Sequence, residues 1–289
     1  LLFALTQALG MLGLEIGIKK TSKFEGLKNL IDYGSEKKSW LDDSPDLNES
    51  TIKLLESTKL LSKKNKNLQV RRASYSRNWQ EVLVAASDGV FARDIRLHQT
   101  VGINVIALKD KNRSTSARRY GSSGNPNDLR NWDIDKSATE LNDSAQKMLH
   151  AEYVDAGQMP VVLANKFGGV IFHEACGHLL ETTQLERGTS PFHDKVNKKI
   201  AHTAVSAVDE GFSDHAFGSL SMDDEGMEPQ NTLLIKDGIL KKFLSDRAGS
   251  LRTGHPRTGS GRRQNFSFAA ASRMRNTYIK KGNYTPDNL

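Results

Sequence analysis

The chain has 289 residues, of which 37% are hydrophobic and 26% are charged, a composition that is typical of folded globular proteins and excludes a wholly disordered chain. The formal net charge of +7 would suit an acidic partner, but a mild excess of charge spread over a long chain more often serves solubility, so nucleic-acid binding is not expected. The single cysteine, Cys176, excludes an internal disulfide and favours a cytoplasmic protein.

Residues 1–66 are predicted to form a mostly helical, polar N-terminal region. Residues 1–18 are apolar but are interrupted by Gln7 and Glu15, so the stretch is too polar for a membrane span of about 20 residues. It also lacks the basic start and the small-residue cleavage site of a signal peptide. We therefore expect no membrane association. Since the sequence begins at Leu1 and not at methionine, we expect this region to be partial.

Residues 67–155 are predicted to form a middle α+β region that contains a β-meander. Two β-like runs, residues 82–86 and 90–95, flank an Asp-Gly pair that is typical of hairpin turns. A third run over residues 102–108 completes an antiparallel meander. Residues 120–127, which are rich in Gly, Ser and Asn, are expected to form a flexible loop.

An amphipathic helix is predicted after this loop. Apolar residues recur there at steps of three and four, so one stripe of the helix should face a core and pack on the sheet. The stripe consists of Ile134, Ala138, Leu141, Ala145 and Met148.

The last region, residues 156–289, opens with a predicted strand followed by a helix. Residues 159–163 are apolar and should form a buried strand, and residues 165–169 should form the loop that leads into the helix. The fold class predicted for the whole chain is α+β, with mixed or antiparallel sheets and packed helices.

Three polar side chains, His173, Glu174 and His178, interrupt the apolar run over residues 170–180. Cys176 is only weakly polar, so the run should be a largely buried helix. Burying such groups without partners costs roughly 1 to 3 kcal/mol each, and a metal ion would satisfy them. Neutral imidazoles bind zinc at about 2.0 to 2.1 Å, and a neighbouring carboxylate can take the proton from a zinc-bound water whose pKa falls to about 7. The run predicts His173 and His178 as metal ligands and Glu174 as a general base.

The spacing of the two histidines predicts a distorted helix. With about 100° of turn per residue, side chains five positions apart point about 140° away from each other, so a regular α-helix cannot direct both to one ion. A single π-type turn absorbs one extra residue and brings these positions to one side. Gly177, which is flexible and disfavoured within helices, lies where the distortion is needed. We predict a bulged helix between Glu174 and His178.

Two other interpretations exist for this run. His173 and His178 could be core or surface histidines that bind no metal. A cysteine-protease pair of Cys176 and His178 is disfavoured, because side chains two positions apart on a helix point about 200° away from each other. Cys176 is better explained as a small buried apolar residue.

Ordered blocks of sequence motifs surround and follow the two histidines. The blocks are residues 168–172, His173-Glu174-Ala175-Cys176-Gly177-His178-Leu179-Leu180-Glu181, Asp224-Glu225-Gly226, residues 233–238, Ser245-Asp246-Arg247, residues 258–263 and residues 273–278. In this order they resemble the TldD/PmbA metallopeptidases, and the TldD branch of that family in particular.

The resemblance implies a peptidase that acts on unfolded proteins or short peptides, with residues 156–289 as its metallopeptidase domain. It implies zinc as the cofactor, His173 and His178 as zinc ligands, and Glu174 as the base that activates water. It also implies a homodimer, or a heterodimer with a family paralogue, that encloses the site. Members of the family have also been named modulators of DNA gyrase.

In one respect the sequence departs from the family pattern. In the family, a cysteine well downstream of the second histidine is the third zinc ligand, and no cysteine follows Cys176 in this sequence. We therefore expect a C-terminally truncated chain, with the metal absent or held by too few protein ligands. Glu181 is the best substitute ligand, or instead a partner that orients an imidazole. Other conceivable ligands are Glu186, His193, His202 and His215.

Two further segments could contact a ligand. Residues 259–263 contain glycines and cations, as phosphate-binding loops do, but lack the Walker lysine pattern, and we expect Arg262 to contact a backbone or a substrate carboxylate. The Asp237-Gly238 pair predicts a hairpin that could offer an edge strand to an extended peptide. The alternative function is a non-catalytic interaction module, of the gyrase-modulator type or associated with nucleic acid.

Overall fold

A computed structural model describes most of the chain from residue 68 onward and two short pieces before it. The described residues are 28–38, 56, 68–124, 133–165, 167–213 and 216–283. The predicted helical region over residues 1–66 therefore lies mostly outside the described residues, and residues 28–38 contain a two-residue strand, β1 (Ile31–Asp32), and turns. None of the helices in the described part of the chain is both long and apolar enough to cross a bilayer.

Three long antiparallel strands form the first sheet. They are β2 (Leu68–Ala85), β3 (Phe91–Lys109) and β4 (Asn112–Ser123), and β1 pairs in parallel with β3. The predicted meander is confirmed, although the strands are longer than expected. Because β4 continues to Ser123, the predicted loop over residues 120–127 is wrong for its first four residues, and residues 125–127 lie outside the described residues.

Helix α1 (Ile134–Leu149) packs on this sheet as the amphipathic pattern predicts. Its buried stripe contacts four residues of β3, namely Val101, Ile103, Val105 and Ala107. The prediction for Met148 is wrong, since 59% of that residue is exposed, whereas Leu149 is 5% exposed and belongs to the core. At about 100° per residue, the buried residues Ala138, Leu141, Ala145 and Leu149 span about 80° of the helix surface, and Met148 lies about 20° beyond the edge of that arc at Leu141.

A smaller antiparallel sheet organises the C-terminal half. Its strands are β5 (Ala207–Glu210), β6 (Thr232–Lys236), β7 (Ile239–Leu240) and β10 (Asn276–Ile279), in the order β10-β5-β6-β7. The hairpin predicted at Asp237-Gly238 is confirmed, and both turn residues have positive φ, of 50° and 78°. A two-stranded ribbon, β8 (Gly261–Arg262) with β9 (Ala271–Ser272), lies outside this sheet. The α+β fold class with antiparallel and mixed sheets is confirmed.

Three short helices complete the C-terminal half. They are α2 (Phe167–Phe172), α3 (Thr182–Glu186) and α4 (Arg247–Thr253). Asp246 caps α4 by accepting a hydrogen bond from the Gly249 N–H at 3.1 Å. Since α2 begins at Phe167, the predicted loop over residues 165–169 is wrong for its last three residues.

The buried strand predicted over residues 159–163 is wrong. This segment has no regular structure, and the exposed fractions of Met159, Val161, Val162 and Leu163 are 48 to 69%. A strand needs a neighbouring backbone to complete its hydrogen bonds, and no strand among the described residues pairs with this one. Residues 159–163 are apolar, but no part of the described structure covers them.

Charged side chains join the first sheet to the loop before β6. Arg96 of β3 donates hydrogen bonds to the Asp224 carboxylate at 2.6 Å and to the Met222 carbonyl at 2.9 Å. Lys37 donates to the buried Asp94 carboxylate at 2.6 Å and to the Ser221 hydroxyl at 2.7 Å. These contacts hold the loop that in turn positions β8.

Candidate metal centre

The run that contains the two histidines forms a widened helical turn. Helix α2 leads into a π-helical turn, His173–Gly177, and then into a 3₁₀ turn, His178–Leu180. The His178 N–H donates to the His173 carbonyl, five positions back, as a π-type turn requires. The predicted bulge is confirmed. It brings the two imidazoles to one side of the helix, with ring centroids 4.7 Å apart and planes at 82°.

Gly177 allows this turn for a reason other than the one expected. Its backbone has ordinary right-handed helical angles, φ −55° and ψ −50°, so the turn does not depend on glycine's access to unusual conformations. The site is crowded instead, because a Cβ atom at Gly177 would collide with the sulfur of Met274. Glycine is needed there for close approach between the helix and the segment before β10.

The helix is less buried than predicted. Phe172 and Cys176 pack against the core cluster around Leu180, Leu234 and Phe243, but Val170 and Ile171 are each 44% exposed. The Glu174 side chain is 66% exposed. The prediction of a largely buried helix is therefore wrong, because within the described structure one side packs on the core and the other faces solvent. That open side carries the polar groups.

His173, Glu174 and His178 form a group with the geometry of a metal site. Each offers one ligand atom, and these atoms all lie within 4.8 Å of one another. Within the described ranges, no other group of three or more such residues does so. Glu174 Oε2 lies 3.8 Å from His178 Nε2.

The charge state of His173 suits a metal ligand. Burial lowers the pKa of His173 below its usual value of 6.5, and the neighbouring His178 lowers this pKa further, while Glu174 and Asp209 oppose both effects. The imidazole is therefore neutral at pH 7, which is the form that metals bind.

Glu181 supports His178 from behind the metal-facing side. The Glu181 side chain is fully buried, and its Oε1 lies 3.1 Å from His178 Nδ1. Arg273 donates to its Oε2 at 2.9 Å, and the Met274 N–H donates to its Oε1 at 3.3 Å. Burial raises the pKa of Glu181, opposed by the charges of Arg273 and His178. Since Glu181 does not belong to the metal-site group, its position corresponds to the orienting partner and not to the substitute ligand.

The segment before β10 also shapes the site, although no sequence pattern predicts a role for its residues. Arg275 donates to the buried Asp209 carboxylate from both its backbone N–H and its Nε, each at 2.8 Å. Its guanidinium also donates to the carbonyls of Thr258, Gly259 and Gln230. The only signal in the sequence was that residues 273–278 formed one of the family-like blocks.

The remaining sequence candidates that the structure describes do not join the metal-site group. Burial raises the pKa of the Cys176 thiol to about 11, so the thiolate that a nucleophile or ligand needs is scarce at neutral pH. Glu186 is paired with Arg252 at 2.5 Å. His193 and His202 are exposed and outside the group. His215 lies outside the described residues.

In the glycine-rich loop over residues 259–263, two backbone N–H groups are already bonded to carboxylates. The Gly261 N–H donates to Asp223 Oδ2 at 3.0 Å, and the Arg263 N–H donates to Asp224 Oδ2 at 2.6 Å. Both donors are therefore occupied by carboxylates, which would also repel an anion at the backbone. The Arg262 guanidinium donates to the Met274 carbonyl at 3.3 Å, so it lies beside the segment that supports His178.

Two protein-family models match the chain. The model for the PmbA/TldA metallopeptidase central domain matches residues 40–149, and the model for the PmbA/TldA metallopeptidase C-terminal domain matches residues 156–289. The chain belongs to the TldD/PmbA metallopeptidase family. The second match includes the whole metal-site group together with Glu181, Arg262 and Arg273.

Relatives with curated descriptions point to the same family. A metalloprotease TldD homolog from Buchnera aphidicola is 34% identical over 224 residues, which are 75% of this chain and 46% of that protein. A zinc metalloprotease TldD homolog from Saccharolobus solfataricus is 35% identical over 159 residues, which are 55% of this chain and 35% of that protein. The chain thus spans less than half the length of each of these two relatives.

A solved structure supports the fold. A Thermotoga maritima protein described as a candidate modulator of a DNA gyrase matches with a TM-score of 0.75 at 17% identity, over 94% of this chain and 60% of that one. At this identity the likeness establishes the fold alone.

The metal-site group fits zinc. Zinc sites in proteins are tetrahedral with bonds of about 2.0 to 2.1 Å, which places ligand atoms about 3.3 Å apart. Ligand atoms within 4.8 Å of one another need only side-chain adjustment to reach that spacing. Imidazoles are ligands that zinc prefers, and a neighbouring carboxylate can accept a proton from a zinc-bound water.

Proposed function

We propose that this chain is part of a zinc-dependent peptidase that hydrolyses peptide bonds in unfolded proteins or short peptides. The observation that carries the proposal is the convergence of His173, Glu174 and His178 on the open side of one widened turn. The naming of relatives as metalloproteases, one of them as a zinc metalloprotease, supports it.

His173 and His178 would hold the zinc ion through one ring nitrogen each. For His178 that nitrogen is Nε2, because Glu181 engages Nδ1. When bound, zinc supplies Lewis-acid polarisation of water and of the scissile carbonyl. Glu174 accepts the proton of the attacking water and delivers it to the leaving amine. Its exposed carboxylate lies 3.8 Å from His178 Nε2, and this closeness supports the role.

The family resemblance implies a cysteine as the third ligand, and the packing and high pKa of Cys176 make it unsuited to that role. With Glu174 reserved for proton transfer, two imidazoles remain in the metal-site group among the residues that the structure describes. We therefore expect this chain to bind zinc more weakly than a site with three protein ligands does.

The test combines metal binding with hydrolysis. Zinc affinity, measured by competition with a chromophoric chelator, should fall in H173N and H178N and persist in E174Q. Cleavage of an unfolded casein substrate by the zinc-loaded protein should fall by about 100-fold or more in E174Q. E186Q, which removes a carboxylate paired with Arg252, is the matched control. Undetectable zinc binding by the full-length protein, or cleavage by that protein that survives E174Q, would refute the proposal.

The proposal also includes assembly and location. A homodimer, or a heterodimer with a family paralogue, would enclose the open side of the helix, and the single cysteine suits the cytoplasm. Light scattering on the purified chain, alone and mixed with a paralogue, measures the assembly directly.

A non-catalytic interaction module is the second candidate. The charge of +7 and the description of the Thermotoga maritima neighbour as a candidate gyrase modulator favour it. It predicts binding to nucleic acid or to gyrase that weakens steeply with salt. Binding that is absent or insensitive to salt would remove this candidate.

A further inference from the structure

A cluster of cationic side chains lies beside the support of His178. Arg96, Arg262 and Arg273 come from three separate segments. Partial desolvation lowers the pKa of Arg262, and the charges of Arg96 and Arg273 lower it further, while the charges of Asp224 and Asp209 oppose these effects. Two members are neutralised, since Arg96 pairs with Asp224 at 2.6 Å and Arg273 pairs with Glu181 at 2.9 Å.

Arg262 lacks such a partner. Among the described residues, no carboxylate lies within ion-pair distance of its guanidinium, and its hydrogen bond goes to a neutral carbonyl, that of Met274. A guanidinium has five N–H donors in a planar fork that matches a carboxylate. Arg262 is exposed, so the N–H donors that this hydrogen bond leaves over can be reached by a peptide. An exposed guanidinium with free donors can form a bidentate, charge-assisted contact with a carboxylate.

The position of Arg262 ties it to the metal-site group. Arg262 donates to the Met274 carbonyl, the Met274 N–H donates to Glu181, and Glu181 contacts His178. The guanidinium is therefore separated from the candidate zinc ligand by the backbone of Met274 and the carboxylate of Glu181. An extended peptide advances about 3.3 Å per residue, so a peptide of a few residues is long enough to span the two.

An aromatic pair lies next to this cation. The rings of His98 and Phe217 meet edge to face at 5.2 Å between centroids. Burial and the charges of Arg262 and Arg96 lower the pKa of His98, so His98 stays neutral and adds no competing charge. Phe217 is 48% exposed and offers an apolar surface to a substrate side chain.

We propose that Arg262 is a specificity-determining residue that binds a carboxylate of the peptide substrate, either its C-terminus or an acidic side chain a few residues from the scissile bond. The inference rests on the proposed peptidase function and names its substrate class: peptides that carry a carboxylate near the cleaved bond. Arg262 positions the peptide, and the chemistry stays with the metal-site group.

The experiment measures peptide binding without hydrolysis. The zinc-free chain is titrated calorimetrically, at fixed ionic strength, with three peptides: Ala-Ala-Phe-Ala-Ala with a free C-terminus, the same peptide amidated, and the amidated peptide with Glu in place of its fourth residue. At least one carboxylate-bearing peptide should bind about tenfold or more tightly than the neutral peptide, because a bidentate Arg–carboxylate contact is among the stronger polar contacts.

Variants test whether Arg262 causes the difference. R262Q should abolish the preference, and R262K should keep part of it because the charge remains but the fork is lost. R263Q removes the neighbouring guanidinium, which contacts the Phe268 carbonyl, and should leave the preference intact. Circular dichroism checks the fold of each variant.

Each outcome decides the proposal. Preference for the free C-terminus or for the Glu peptide supports it and identifies the source of the carboxylate. Equal binding of all three peptides, no binding of any, or an unchanged preference in R262Q overturns it. Because the assay contains no zinc, a chain that discriminates but never hydrolyses would refute the peptidase and leave the carboxylate site standing.

Discussion

The Nδ1 atom of His178 lies 3.1 Å from Oε1 of Glu181, a carboxylate that no solvent reaches. This contact selects the ring orientation of His178 and leaves its Nε2 free to face Glu174. In metal sites, a carboxylate that holds the non-ligating nitrogen of a histidine raises the basicity of the ring and prevents its rotation. We therefore expect Glu181 to influence zinc binding through His178 and not as a ligand.

Replacing Glu181 with glutamine should weaken zinc binding by about 10- to 100-fold, because the amide orients the ring less strongly and cannot share a negative charge with it. Competition with a chromophoric chelator measures the change. E186Q is the control, since its carboxylate lies on the neighbouring helix and pairs with Arg252. Equal zinc affinities for E181Q and wild type would show that the contact is purely structural.

Gly177→Ala should destabilise the fold by about 1 to 3 kcal/mol, because the new methyl group would overlap the Met274 sulfur in a packed core. Urea denaturation measures the free energy of unfolding. Gly169→Ala in the same helix is the control, since a Cβ there meets no atom within 4 Å and alanine is the better helix former. That control should be neutral or stabilising.

The collision at Gly177 can be isolated by a double-mutant cycle. Met274→Ala on its own should cost about 2 to 5 kcal/mol, because Met274 is buried in the core. Combined with Gly177→Ala, the loss should be smaller than the sum of the two single losses by about 1 kcal/mol or more, because the smaller side chain makes room for the methyl group. Strict additivity would contradict the close approach.

Asp209→Asn should lower the free energy of unfolding by about 3 to 5 kcal/mol, because it leaves the fully buried Arg275 guanidinium without its countercharge at 2.7 Å. Thermal or urea unfolding measures the loss. Asp194→Asn is the control, since its ion pairs with Lys195 and Lys198 are exposed and should matter little. Similar losses for both variants would contradict the role assigned to burial.

His173 should titrate below pH 6.5 in the zinc-free protein, as followed by the ring signals in NMR spectra. The E174Q variant should lower the pKa of His173 further, because the Glu174 charge raises it. The H178N variant should raise this pKa, because the neighbouring imidazolium is removed. Shifts of the opposite sign would contradict the described geometry.

The same pKa has a consequence for stability. The folded state binds the His173 proton less readily than the unfolded state does, so the contribution of His173 to the free energy of unfolding is intact above pH 6.5. It is lost as the pH falls from 6.5 through the lowered folded pKa. H173N should therefore show a smaller loss of stability over that pH window than wild type does.

Much of the local structure followed from the sequence. The five-residue spacing of His173 and His178 predicted the π-type turn, and Asp237-Gly238 predicted the β6–β7 hairpin, because each depends on residues within one or two turns of chain. The strand predicted over residues 159–163 was wrong because a strand depends on more than its local sequence. A strand exists only with a neighbour, and pattern along the chain does not reveal whether one is present.

Sequence by itself thus determined the fold class, the family and the three residues of the candidate metal centre. Tertiary structure alone decided what surrounds them: Glu181 with Arg273 and Met274, Asp209 with Arg275, and Met274 against Gly177. The partners in these hydrogen bonds lie 66 to 93 positions apart. Hydrogen bonds and ion pairs depend on distance in space, whereas sequence periodicity reports only on neighbours along the chain. Only the three-dimensional structure therefore identifies these partners.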